Sequence, residues 1–104
     1  MLEGQFKKEA SEKYSEEQIK IWRRSMDVPP PEMSKENENH PIHDQRYSHV
    51  PREKIPSAEC LNDVIKRVRP FYEEELFSKI QEGRKIILIT HGSVLRAFLK
   101  IIFN

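Results

Sequence analysis

Lys85-Ile86-Ile87-Leu88-Ile89-Thr90-His91-Gly92-Ser93-Val94-Leu95-Arg96 is the stretch on which the fold turns. Four consecutive apolar residues, three of them β-branched, run straight into a histidine and a glycine. A run of that kind reads as a strand, over about residues 85–90, buried on both faces. A strand feeding directly into a helix is the βα unit of a parallel sheet, whose ligands gather outside the carboxyl ends of the strands. His91 occupies that end. Gly92 would let the backbone turn tightly, and the amides at the start of the following helix would face an anion. An imidazole beside such amides is a phosphate-binding or phosphoryl-transfer arrangement. It is equally what a strand-end histidine capping its own helix looks like, and local sequence does not separate the two.

The composition bounds what the chain can be. Its 104 residues are 37% hydrophobic and 34% charged, with a formal net charge of +1. That length fits one domain, 1–104, with a modest apolar supply for its core. Interspersed charges of near-zero sum give no case for nucleic acid or an anionic membrane as partner, so any anion site is local. A single cysteine, Cys60, forms no intrachain disulfide and suits a reducing compartment. The start lacks an apolar signal region, and no apolar run reaches the ~20 residues of a membrane span. The expectation is a soluble, cytoplasmic α/β chain.

From the first residue, 7–14 reads as a short solvated helix rich in Lys, Glu and Ala. Ser15-Glu16-Glu17-Gln18 matches a capping box, starting a second helix that runs to about Arg24 with Ile19 and Trp22 on one face. Arg23 and Arg24 at its end are read most simply as a solvated terminus favoured by the helix dipole. The sharper reading is a guanidinium fork for carboxylate or phosphate. Residues 26–56 form a long proline-rich excursion, including Pro29-Pro30-Pro31 and the polar insert 34–39. His40, His43 and His49 in it are read as solvated loop histidines; their spacing and flanking prolines do not support a metal site.

Ser57 is expected to start a third helix, with apolar residues from Leu61 to Ile80 at helical spacing and Gly83 as its stop. Pro70 inside it predicts a kink near 66–70. Its apolar stripe is core, not a cofactor box. After the strand, 94–103 is apolar nearly all round, with Arg96 and Lys100 sharing a face at i, i+4. Such a helix needs cover from other structure.

These segments together carry a resemblance. Glu16-Glu17-Gln18-Ile19-Lys20-Ile21-Trp22-Arg23-Arg24-Ser25, Val28-Pro29-Pro30-Pro31, His40-Pro41, Asp44-Gln45-Arg46-Tyr47, Glu59-Cys60-Leu61 and Thr90-His91-Gly92-Ser93-Val94-Leu95-Arg96-Ala97 follow one another in the chain. Their order and spacing resemble those of the 2,3-bisphosphoglycerate-dependent phosphoglycerate mutases, within the histidine phosphatase superfamily. The resemblance implies part of a three-layer α/β/α fold, mostly helical here with one clear strand. It implies interconversion of 3-phosphoglycerate and 2-phosphoglycerate in glycolysis through a phosphohistidine, with 2,3-bisphosphoglycerate as primer, no metal, and a homo-oligomer for the complete protein. By position His91 resembles the second histidine of such sites, which stabilises the transferring phosphoryl group. Gly92 resembles the glycine beside it, and Ser93 stands where the family has asparagine. Arg23 and Arg24 resemble the paired substrate-holding arginines, and Lys7 a substrate-binding lysine.

The family's R-H-G motif, which carries the nucleophile, does not occur here, and the only histidine followed by glycine is His91. Nor does its E-R-H-Y-G segment, with the acid/base glutamate. The expectation is therefore an incomplete mutase chain, without the R-H-G half and the C-terminal tail, inactive alone and poorly folded in isolation. Two rivals accompany it: a bisphosphoglycerate synthase or phosphatase of the same superfamily, and a non-catalytic fragment that binds phosphoglycerate or a partner.

Overall fold

The computed structural model describes residues 4–103, in two units, Met1–Cys60 and Leu61–Asn104, each taken here by itself. In the first, helices α1 (Lys7–Tyr14) and α2 (Glu16–Arg24) meet at a single residue, Ser15. Ser15 is the one described non-glycine residue with positive φ, at 70°. Its amide still closes α1 by donating to the Ser11 carbonyl at 3.0 Å. Its hydroxyl opens α2 by accepting from the Gln18 amide at 3.3 Å, as the capping pattern predicts. Across this corner Tyr14 and Trp22 pack edge to face, ring centroids 5.0 Å apart.

The excursion that follows has no long element, yet it is held at definite points. Ser25 makes a compact turn, its hydroxyl donating to Asp27 Oδ1 at 2.9 Å and accepting from the Val28 amide at 3.2 Å. Three 3-10 turns, Pro41–His43, Gln45–Tyr47 and Arg52–Lys54, carry the chain onward. Met33 is buried, and its amide donates to the Ser57 carbonyl at 3.0 Å. His40 is only 1% exposed and spans the same stitch. Its Nδ1 accepts from the Ile42 amide at 3.0 Å, which leaves the proton on Nε2, facing Ser57 Oγ at 3.0 Å. Ser57 thus ties two points of the excursion together, and His40 is a structural histidine, not the solvated one expected from sequence.

The second unit is an apolar helix pair. Helix α3 (Leu61–Phe71), a π turn (Tyr72–Leu76) and α4 (Phe77–Gln81) follow without a break. Helix α5 (Gly92–Phe103) packs on α3. Val64, Val68, Leu76, Ala97 and Phe98 form the core, flanked by Leu61, Ile65, Tyr72, Leu88, Val94 and Ile101. Phe98 is the hub, edge-on to Phe71 at 6.4 Å and to Tyr72 at 6.5 Å. Gly83, at φ 80°, ends α4. There the Gly83 amide bonds the Ile80 carbonyl at 3.0 Å and the Arg84 amide bonds Lys79 at 3.1 Å, a Schellman closure.

Three expectations need correction. The strand over 85–90 is absent, and the described residues contain helices and turns but no strand or sheet. The α/β expectation for this chain fails with it: a buried strand needs a ladder on its edges, and none of the described residues offers one. Residues 85–90 form no regular element instead, with Leu88 against the core while Ile87 and Ile89 are 89% and 90% exposed. The third helix begins at Leu61 rather than Ser57, because Ser57 is engaged in the stitch to Met33 and His40. Pro70 sits inside α3, and the irregularity falls just after it, in the π turn where the Phe77 amide reaches the Tyr72 carbonyl.

Candidate functional site

His91 stands where the run 85–90 enters α5. Its carbonyl accepts the Leu95 amide at 3.0 Å, so it is the residue from which the helix starts. The amides of Gly92, Ser93 and Val94 fall in the first turn, ahead of the regular helical bonds, where a helix turns donors and positive dipole outward. His91, Gly92 and Ser93 are all exposed. Among the described residues the His91 ring has no hydrogen-bond partner, so the backbone starts this helix while the imidazole stays available. Gly92 does not use glycine's left-handed freedom. A Cβ built on it would meet nothing within 4 Å, so the space beside the helix start is open.

The cationic candidates belong to the first unit. Arg23 and Arg24 lie in the last turn of α2 and Lys7 in the first turn of α1, all exposed. The dipole separates them. Two guanidinium groups at a C-terminus are favoured by about 0.3–1 kcal/mol each, whereas a lysine in a first turn is opposed by a similar amount. Helix electrostatics therefore accounts for the arginine pair and not for Lys7. The structure brings His91, Gly92 and Ser93 together at one helix start, and Arg23 and Arg24 together at one helix end.

A second polar cluster escaped the sequence reading. An open cavity of about 370 Å³ is lined by residues that include His40, His43, Asp44, Arg46 and Tyr47. Its polar groups are engaged in local structure. His43 Nε2 donates to the Lys35 carbonyl at 2.7 Å. Asp44 caps the Gln45–Tyr47 turn and receives the Arg46 guanidinium. The Arg46 side chain, and after it the Arg46 amide, hold the Asp44 carboxyl below the usual carboxylate range. The signal for this region was His40-Pro41, an acceptor-bearing residue followed by proline at the first position of a helical turn. Among the described residues, no three His, Cys, Asp or Glu side chains gather as a metal ion would require.

Comparison with known proteins bears on the same residues. Residues 32–104 match the Histidine phosphatase superfamily (branch 1). A 2,3-bisphosphoglycerate-dependent phosphoglycerate mutase of Borreliella burgdorferi (strain ZS7) is 44% identical over 103 residues, covering 99% of this chain and 42% of the relative. The enzyme of that name from Borreliella afzelii (strain PKo) is 45% identical, and the one from Borrelia garinii subsp. bavariensis is 42% identical, over the same shares. The chain thus spans about two fifths of the length of these relatives.

Proposed function

The chain belongs to the histidine phosphatase superfamily (branch 1), and on that premise we propose that it carries the substrate-holding and charge-stabilising part of a phosphoglycerate mutase. The reaction served is the interconversion of 3-phosphoglycerate and 2-phosphoglycerate in glycolysis, in the cytoplasm. The exposed, unpartnered imidazole of His91 at an open helix start carries this reading, supported by the name shared by the relatives above.

Phosphoryl transfer asks a protein mainly for position and for donors around oxygens that gain charge. His91 is the group assigned to the transferring phosphoryl, donating from a ring nitrogen as charge builds on its oxygens. Amides from the first turn of α5 would bind the same kind of anion, and Ser93 adds a hydroxyl in place of the amide found in the family. Arg23 and Arg24 are assigned to the carboxylate or phosphate of phosphoglycerate, which guanidinium matches with two parallel donors, and Lys7 adds a point charge. 2,3-bisphosphoglycerate would supply the priming phosphoryl group in this chemistry, and its anionic groups suit guanidinium and ammonium donors of the kind Arg23, Arg24 and Lys7 present. The 104 residues hold no second histidine in an R-H-G setting to receive that group. The chain alone therefore holds substrate without turning it over.

A coupled assay for 2-phosphoglycerate formation from 3-phosphoglycerate, run beside calorimetric titration of 3-phosphoglycerate, tests both halves. The expected result is saturable binding, weakened at least about tenfold (1.4 kcal/mol) in Arg23→Ala/Arg24→Ala, with no turnover above background. Turnover by the purified chain would refute the inactivity, and absence of binding in every form would refute the assignment of substrate-holding residues.

A further inference from the structure

We propose that Ser25, with Asp27, is a positioning residue for the Arg23–Arg24 pair, fixing the backbone from which both guanidinium groups reach phosphoglycerate. The proposal rests on the assignment of that pair to phosphoglycerate made above, and adds to it what keeps the pair in place. Helix α2 has only nine residues, Glu16–Arg24, and none of them is buried. A helix that short is marginal by itself, and its last carbonyls lack intrahelical donors, so its end frays unless something closes it. Arg23 and Arg24 are the residues at that end.

Ser25 closes it from both sides. Its amide donates to the Ile21 carbonyl at 2.7 Å, completing the helical turn that contains both arginines. Its own φ of −66° and ψ of 150° then take the chain out of the helix. Its hydroxyl accepts from the amides of Asp27 and Val28, at 3.3 and 3.2 Å, and donates to Asp27 Oδ1 at 2.9 Å. A single hydroxyl thus answers two backbone donors and one carboxylate. Pro29-Pro30-Pro31 follow at once and restrict the backbone beyond the turn. All of these bonds lie between Ile21 and Val28, so the device is complete within the segment that carries the pair. A guanidinium fork owes its advantage over an ammonium to fixed planar geometry, and that advantage fades when its backbone wanders. Holding the backbone before the ligand arrives shows as affinity.

Calorimetric titration of 3-phosphoglycerate into the chain and its variants tests this, with amide exchange over 23–28 as the readout of the turn. Ser25→Ala keeps the amide bond to Ile21 and loses every hydroxyl bond. It should speed exchange of the Asp27 and Val28 amides and weaken binding about three- to tenfold, the effect of ordering one or two flexible side chains. Ser25→Thr, which keeps the hydroxyl, should restore both. Asp27→Ala should weaken binding in the same direction, and Asp27→Asn, which keeps the Oδ1 acceptor, should not. In chains that already carry Arg23→Ala/Arg24→Ala, Ser25→Ala should weaken the residual binding no further, whereas a merely structural role would weaken both backgrounds alike. An undiminished loss in the background without the arginines would overturn the proposal. So would wild-type affinity in Ser25→Ala while Arg23→Ala/Arg24→Ala still loses binding, a result that leaves the arginine assignment standing. Wild-type affinity in Arg23→Ala/Arg24→Ala would remove the assignment itself, and the positioning role with it.

Discussion

The two units hold their shape by different means. The Leu61–Asn104 unit is held by apolar burial around Phe98, while Ile87 and Ile89 in its run 85–90 are left exposed. The Met1–Cys60 unit buries few apolar residues, Ala10, Met33 and Cys60 among them, and depends on local hydrogen bonds around Ser15, Ser25, His40 and Ser57. Burial scales with area and tolerates imprecise partners. A hydrogen-bonded stitch is worth little net when made, and leaves a costly orphan when one partner is lost. A long proline-rich loop can therefore be as well ordered as a helix pair, provided each buried polar atom has its partner. No buried side-chain nitrogen or oxygen among the described residues lacks one.

Substitutions at the centre of each region put this contrast to the test. The largest effect is expected from Phe98→Ala, which empties the helix-pair core and should destabilise the second unit by about 3–5 kcal/mol. Denaturant unfolding followed in α3 would read it, and a change under 1 kcal/mol would mean that Phe98 is not the hub. Next comes His40→Ala, which strands the Ile42 amide and the Ser57 hydroxyl and should cost about 1–3 kcal/mol. Its signature is faster hydrogen exchange in the excursion with α3 and α5 unchanged. Gly83→Ala should cost about 1 kcal/mol, because the Schellman closure holds that residue at positive φ. The smallest effect is expected at Asp44. Its folded-state pKa is lowered, so its contribution is present above the ordinary carboxylate value and fades as pH falls through the depressed one. Amide exchange in the Gln45–Tyr47 turn should therefore quicken on acidification, and Asp44→Asn should remove that pH dependence.

What could be read from residue order alone follows the same division. Helices α1 and α2, the Ser15 cap and the Gly83 stop are each decided within a few neighbouring residues, and all of them were legible. The run 85–90 was misread because its four apolar residues report a strand's side-chain environment, while a strand also needs a backbone partner that the described residues do not supply. His40 was misread for the converse reason. Its burial depends on Ser57, seventeen residues on, and no local pattern announces that distance. At the candidate site, the placement of His91 at a helix start was legible in His91-Gly92. The role expected of Gly92 in a tight turn was not the one found, since its φ is not left-handed. Lys7 drew attention only through resemblance, and its place in a first helical turn now gives a physical reason to look at it.

His91 as a phosphate contact is tested most directly by nuclear magnetic resonance of the histidine rings during titration with 3-phosphoglycerate. A saturable shift of the His91 ring signals is expected, with the exposed His43 and His49 rings moving far less. A His91 ring that stays still, or that moves no more than those two, would contradict the assignment.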